Sequence, residues 1–102
     1  MKLLTKAIEA KLPPLYSNDA LGYEAHAIVK FFTPDASWTW YATEYDAQER
    51  IFFGLVDGLE MELGYFSLDE LQSIKGSLGL SVERDIYFSP TKLSTLMQRN
   101  TL

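Results

Sequence analysis

The sequence lacks cysteine and contains a single histidine, His26. Without cysteine there can be no disulfide, no thiolate metal site and no cysteine nucleophile. A single histidine excludes a two-histidine metal site and leaves one residue that could serve in a Ser-His-Asp arrangement. Because His26 stands beside a polar loop at the start of a predicted strand, we interpret it as a surface residue. We therefore expect neither a metal site nor a catalytic residue.

The motifs of common nucleotide and hydrolase sites are also missing. Gly76–Gly79 is too short for a phosphate-binding loop and is not followed by Lys-Ser or Lys-Thr. No Gly-x-Ser-x-Gly elbow of a serine hydrolase occurs. We therefore expect no cofactor and favour a protein that is not an enzyme, although a small enzyme remains an alternative.

Long hydrophobic runs are absent. No stretch approaches the roughly 18 consecutive apolar residues that a membrane-spanning helix needs. The first residues, Met1–Glu9, lack the apolar core of a signal peptide. We expect a cytoplasmic protein that does not bind membranes.

Basic residues are few: 9 of them face 14 acidic ones, for a net charge of −5. This balance is unfavourable for attraction to phosphate backbones, so we expect no direct binding of nucleic acid. An acidic surface of this size is ordinary for a soluble domain. The more specific interpretation, which we favour less, is that this surface meets a basic protein partner or imitates nucleic acid.

What the chain does contain predicts one α+β domain over residues 1–102. Thr5 caps a predicted helix over 5–12, which Pro13 ends, and a Ser67–Glu70 capping box opens another over 67–75. A last helix is predicted over 91–97. Residues rich in aromatic and β-branched side chains predict strands over 25–33, 38–45, 50–56, 59–66 and 82–88. Short turns join them, so we predict an antiparallel meander of four to five strands with about three short helices packed mainly on one face.

The turns also predict which residues lie opposite each other. The turn after Thr33 places Phe31 opposite Trp40, and the next turn places Gly54 opposite Tyr41. Asp57-Gly58 is a strong signal for a two-residue hairpin, which places Phe53 opposite Glu62. Trp38 and Trp40 then share one face with the acidic residues Glu44 and Glu62, whereas Tyr41 and Tyr65 lie on the other.

Both faces of this sheet are largely apolar, and three short helices are too few to cover them. The surplus predicts a groove, a self-association surface or a partner site. Tryptophan and tyrosine are frequent anchors of interfaces, and acidic neighbours would attract a basic protein. In the alternative interpretation, the same side chains surround a cleft for a small polar substrate. The candidate binding residues are Trp40, Tyr41, Glu44, Glu62, Tyr65 and Arg84.

Several strings of residues resemble those of an uncharacterised family of small bacterial domains of unknown function. The resemblance covers nearly the whole chain and rests on Leu3–Thr5, Lys11–Tyr16, Lys30–Pro34, Trp38–Glu44, Phe52–Val56, Glu62–Ser67 and Glu83–Phe88. The resemblance implies a gene often carried on plasmids, phages and integrative conjugative elements, sometimes near antirestriction or single-strand-DNA-handling genes. It implies no activity, cofactor or catalytic residue.

Together these features lead to one expectation about function and one alternative. We expect a non-enzymatic accessory or interaction protein of a mobile genetic element, with a role in defence or antirestriction as one version of it. The alternative is a small-molecule-binding protein or small enzyme that uses an acidic and aromatic cleft.

Overall fold

The structure, a computed structural model, describes residues 2–99, which form three α-helices and seven strands. The helices are α1 (Lys6–Glu9), α2 (Leu68–Ser73) and α3 (Leu93–Arg99). The strands are β1 (His26–Ala27), β2 (Val29–Phe32), β3 (Thr39–Asp46), β4 (Ile51–Asp57), β5 (Met61–Ser67), β6 (Glu83–Arg84) and β7 (Thr91–Lys92). Five strands form an antiparallel sheet in the order β5-β4-β3-β2-β6, and β1 pairs with β7 in a separate ribbon. This confirms the predicted α+β class.

The hairpin between β2 and β3 follows the prediction. Phe31 lies opposite Trp40. The Thr33 hydroxyl accepts a hydrogen bond from the N–H of Trp38 at 3.1 Å, and the Thr33 N–H donates to the Trp38 carbonyl at 3.0 Å. These bonds are local, because five residues separate the partners, and so the turn could be recognised in the sequence.

The pairing of β3 with β4 differs from the prediction. Gly54 lies opposite Ala42 and not Tyr41, and the register shifts between Ala42 and Glu44 at a β-bulge. The connecting turn, residues 47–50, ends at Arg50 with a positive φ of 60°. A bulge adds an unpaired residue to one strand and reverses the direction of the side chains beyond it. Glu44 consequently leaves the face that carries Trp40.

The turn between β4 and β5 was also predicted wrongly. Asp57 pairs with Met61, so the loop has three residues, and Phe53 lies opposite Tyr65 where Glu62 was expected. Neither Asp57 nor Gly58 is among the described residues with positive φ, which a two-residue turn of the predicted type requires. Gly58 serves packing instead, because an added Cβ would be 2.3 Å from the Trp38 ring.

Each face of the sheet has its own core. The tryptophan face, which carries Phe31, Trp40 and Phe52, is covered by α1, α2 and the N-terminal segment. The tyrosine face, which carries Tyr41 and Leu55, is covered by α3. Phe31, Phe52 and Leu55 are fully buried. Two helices lie on one face and the third on the other, and the tryptophan face remains open beside β5.

Other elements are shorter than the sequence predicted. The strand predicted over 25–33 divides at Ile28 because β1 leaves the main sheet to pair with β7. Of the strand predicted over 82–88, two residues pair with β2 as β6. The first residues of the predicted last helix, Thr91 and Lys92, are extended as β7, and α3 begins at Leu93.

Candidate functional site

A groove of about 590 Å³ lies on the tryptophan face beside the edge strand β5. We call it the tryptophan groove. Its floor consists of residues that share that face, and its walls are the turn after β2 and the segment that follows α2. The residues that line it are Thr33, Ala36, Trp38, Trp40, Val56, Glu62, Leu63, Gly64, Tyr65, Phe66, Glu70, Ile74, Lys75, Gly76 and Ser77.

Two tryptophan rings stack in this groove. The ring centroids of Trp38 and Trp40 are 6.0 Å apart, with an interplanar angle of 28°. Trp40 is 5% exposed and belongs to the core, whereas Trp38 is 38% exposed. Both main-chain groups of Trp38 bond to Thr33, and its ring lies against Gly58. The exposed ring is therefore held in place before any ligand binds.

Gly64 leaves the floor of the groove open. It lies in β5 opposite Gly54, on the tryptophan face between Glu62 and Phe66. A Cβ built at Gly64 would have no atom within 4 Å. At this position the edge strand presents its main chain with free space above it.

The outer edge of β5 has unpaired main-chain groups. Leu68 N–H donates to the Arg50 carbonyl at 2.9 Å, and Gly58 N–H donates to the Glu60 carbonyl at 3.1 Å. These two bonds mark the pairs of the β4–β5 ladder that are hydrogen-bonded, and such pairs alternate along antiparallel strands. In the unbroken register between them, the N–H and C=O groups of Leu63 and Tyr65 consequently point away from β4. Within residues 2–99, no other segment bonds to them.

Three charged side chains line the groove: Glu62, Glu70 and Lys75. Among residues 2–99, none of these side chains makes a salt bridge or a hydrogen bond. The Ser67 hydroxyl caps α2 by accepting from the N–H of Glu70 at 2.9 Å. The Glu70 carboxylate does not return this bond, so half of the predicted capping box forms. Two carboxylates and one ammonium leave the groove with a net negative charge.

Asp35 holds the wall opposite β5. Its Oδ2 accepts from the N–H groups of Leu78 at 2.6 Å and of Leu80 at 3.3 Å. Gly76 packs so closely against this carboxylate that an added Cβ would be 1.6 Å from Oδ1. Oδ1 itself is buried and has no hydrogen-bond partner within the described part of the chain. The Ser77 hydroxyl also donates to the Asp35 carbonyl at 3.3 Å, so Asp35 joins the wall segment to the turn that carries Trp38 through both its side chain and its main chain.

This arrangement predicts that Asp35→Ala loosens the wall and leaves the sheet intact. The amides of Leu78 and Leu80 lose their acceptor, so we expect their hydrogen exchange to accelerate about tenfold. Exchange followed by NMR measures both amides separately. Asp35→Asn keeps an acceptor oxygen and should retain most of the protection. Unchanged exchange in Asp35→Ala would contradict this role for Asp35.

Glu44 and Tyr41 lie outside the groove, on the tyrosine face. Glu44 is 3% exposed, and its carboxylate accepts from the N–H of Tyr16 at 2.9 Å and of Asn18 at 2.7 Å. Tyr16 has a positive φ of 74°, which turns these amides toward the carboxylate. Tyr41 is buried against Phe88, with ring centroids 5.9 Å apart. Both residues serve the fold, Glu44 by fastening the loop around Tyr16.

Arg84 lies in β6, at the opposite edge of the sheet from β5. Its Nη1 donates to the carbonyl of Leu3 at 2.9 Å and also to that of Lys2. It therefore anchors the N-terminal segment over the tryptophan face. The cleft expected to combine all six candidate residues does not form.

Tyr65 lines the groove at the edge strand, and more than half of its surface is exposed. Its ring contacts Phe53 edge-on at 5.0 Å on the tyrosine face. A side-chain hydrogen bond with Tyr16 raises the pKa of Tyr65 above its usual value. Of the predicted residues, Trp40, Glu62 and Tyr65 thus lie at the groove.

Sequence reasoning did not select Trp38, Gly64, Glu70 or Lys75. The alternation of Trp38 with Trp40 was a usable signal, because it places both rings on one face. Gly64 and Lys75 carried no signal in the sequence. The role of Gly64 depends on the strand order, and that of Lys75 depends on where the segment after α2 lies.

Residues 2–99 contain neither a metal-binding cluster nor a membrane-spanning helix. No cluster of three or more histidine, aspartate or glutamate side chains there could hold a metal ion. No helix in the same range has the length and apolar character needed to cross a bilayer.

Comparison with known proteins places the chain in a family. Neither the curated proteins nor the solved structures yielded a match. The family described as "Protein of unknown function (DUF2958)" matches residues 3–100, which is nearly the whole chain. The protein belongs to this family of unknown function.

Proposed function

We propose that the protein is a non-enzymatic binding protein that holds a segment of a protein partner in the tryptophan groove. In this proposal it is an accessory protein of a mobile genetic element. The observation that carries the binding function is the exposed ring of Trp38, stacked on Trp40 in a groove that no part of the described chain fills.

Trp38 has the properties of an interface anchor. Tryptophan buries a large area and dominates many interfaces as a hot spot. Its ring is held by Trp40, Gly58 and the bonds to Thr33, so a ligand would lose little entropy in ordering it. More than a third of the Trp38 surface nevertheless stays exposed, so a partner can still bury apolar area on this ring.

Charge favours a basic partner. Glu62 and Glu70 face the groove without a salt bridge inside the described chain, and the whole protein carries a net charge of −5. Complementary charge accelerates association and discriminates against wrong partners. Proteins that bind nucleic acid are typically basic. A partner from this class accords with the defence or antirestriction role.

A small molecule is the alternative occupant, as a ligand or as the substrate of a small enzyme. The groove volume of about 590 Å³ falls within the usual range for small-molecule sites. An apolar floor with a few polar groups at the rim is also typical of such sites. A metabolite that stabilises the purified protein, and loses this effect in Trp38→Ala, would favour the alternative.

The test is Trp38→Ala in a mild-crosslinking capture of the tagged protein from its host, followed by affinity measurement with the purified partner. We expect one protein near stoichiometric amount, and at least about a tenfold loss of affinity in the variant. Thermal unfolding checks that each variant is folded at the temperature of the binding measurement, because Trp38 also packs on Trp40. Leu59→Ala is the matched control, since Leu59 is 94% exposed and does not line the groove. Equal binding by Trp38→Ala and the parent protein would overturn the proposal.

A further inference from the structure

Building on the proposed function, we infer that the partner's segment binds in extended form as an added strand along β5, with a basic side chain directed at Glu62. The occupant is thus an extended stretch of a basic protein. The inference depends on three features of the groove: the free edge of β5, the open position at Gly64, and the unpaired carboxylates.

The free edge supplies the main-chain bonds. β5 is seven residues long and has a neighbour on one side, β4. The N–H and C=O groups of Leu63 and Tyr65 point outward, and no other segment of residues 2–99 bonds to them. Natural proteins usually cover or charge such an edge, because it is a template for another strand. Strand addition to an exposed edge is a common way of binding peptides.

Gly64 determines where a partner side chain enters. In an added strand, alternate side chains lie on the tryptophan face beside Glu62, Gly64 and Phe66. The side chain next to Gly64 meets open space, and Trp40 and Val56 line the floor beyond it. An apolar side chain of the partner fits this position. The partner residues two positions before and after it lie beside Glu62 and Phe66, where charge can discriminate between sequences.

The charged side chains that line the groove determine which partner residue fits next to that apolar side chain. Glu62 lines the groove without an opposite charge inside the described chain, so a lysine or arginine beside it can pair with its carboxylate. Lys75 in the opposite wall disfavours a second basic residue at its end of the groove. The expected segment therefore alternates, with a basic and an apolar residue two positions apart.

A second copy of this chain is a poorer occupant. Each copy carries a net charge of −5, so two copies repel each other, and the groove itself is acidic. A copy seated on β5 would therefore leave Glu62 and Glu70 without opposite charges. Measurement of the molecular mass decides between the two occupants.

Hydrogen exchange tests the added strand. A library of random peptides is displayed and selected on the purified full chain, and an enriched peptide is then synthesised. On binding, we expect exchange at the amides of Leu63 and Tyr65 to slow at least about tenfold. The amides of Glu62 and Gly64, which already bond inside the sheet, serve as internal controls and should change much less.

Charge reversal tests the specificity. Selection on Glu62→Lys should replace the lysine and arginine of the enriched peptides with aspartate or glutamate. Glu49→Lys is the control, since Glu49 is exposed in the turn between β3 and β4 and should leave the selection unchanged.

The outcomes separate this inference from the proposed function. Peptides that need Trp38 but leave the Leu63 and Tyr65 amides unchanged would overturn the added strand and leave the binding function standing. Failure to enrich any peptide would overturn the added strand, whereas the proposed function is overturned if capture from the host also yields no protein partner. Protection of the two amides without peptide, together with a doubled molecular mass, would assign the edge to a second copy and overturn the inference.

Discussion

Replacement of Gly54 by alanine should lower the free energy of unfolding by about 3 kcal/mol. Gly54 lies in β4 opposite Ala42, beside the bulge, and an added Cβ would be 1.8 Å from the carbonyl oxygen of Tyr41. This oxygen belongs to the main chain of β3, so it cannot turn aside as a side chain can. The two strands would have to separate and lose hydrogen bonds. Urea unfolding measures the effect.

Gly64→Ala is the matched control, because Gly64 is the cross-strand partner of Gly54 on β5. Its Cβ would meet no atom within 4 Å, so we expect stability to change by less than about 0.5 kcal/mol. Similar losses in the two variants would show that the cost comes from glycine's role in strands generally. That result would contradict the close contact between β3 and β4.

Glu44→Ala should cost about 3 kcal/mol, because it removes the acceptor of two main-chain N–H groups. Those donors, Tyr16 and Asn18, lie 28 and 26 residues away in sequence, and the carboxylate that joins them to β3 is buried. Without it, two amides lose their partner and the loop loses its attachment. We expect a lower free energy of unfolding together with faster hydrogen exchange at both amides.

Two variants define the role of this carboxylate. Glu44→Gln retains one acceptor oxygen and should lose about half as much stability. Glu49→Ala removes an exposed carboxylate from the neighbouring turn and should be nearly neutral. If Glu44→Ala were as stable as Glu49→Ala, the loop would not depend on Glu44.

Gly54→Ala and Glu44→Ala are changes outside the groove. Gly54 and Glu44 do not line the tryptophan groove, so folded protein carrying either change should keep a groove of the same composition. The loop fastened by Glu44 carries Tyr16, which raises the pKa of Tyr65 on the edge strand above its usual value.

The parts of the fold that the sequence predicted are those that depend on neighbours along the chain. Thr5 and Ser67 cap helices through bonds to amides three residues ahead. The hairpin at Thr33 and Trp38 closes through equally local bonds. Such interactions require the right residue types at short spacing, and these can be read in one dimension.

The registers of β4 and β5 could not be predicted in this way. The bulge after Ala42 and the three-residue loop after Asp57 each shift the pairing, and each depends on close packing between strands. In the loop after Asp57, Gly58 was interpreted as a turn residue, but its lack of a side chain makes room for the Trp38 ring. A shift of one residue moves a whole strand's side chains to the other face.

The candidate site shows the same division. Trp40 and Glu62 share the face of the groove, as predicted, but the predicted pairings of β3 with β4 and of β4 with β5 were each wrong by an odd number of residues, and the two errors cancelled. Glu44 and Arg84 were selected for their charge, but each binds main-chain groups of a distant segment. A charged side chain in the sequence does not reveal whether water or a buried amide will be its partner.

By itself, the sequence determined the class of the fold, the local caps and turns, and the aromatic alternation that gives one face of the sheet its tryptophans. It also excluded thiol chemistry, because no cysteine is present. The tertiary structure decided which residues surround the groove, that β5 is an edge, and that Glu44 and Arg84 bind main-chain groups outside the groove. The reason is physical: caps and alternation depend on spacing along the chain, whereas register, strand order and burial depend on contacts between segments far apart in sequence.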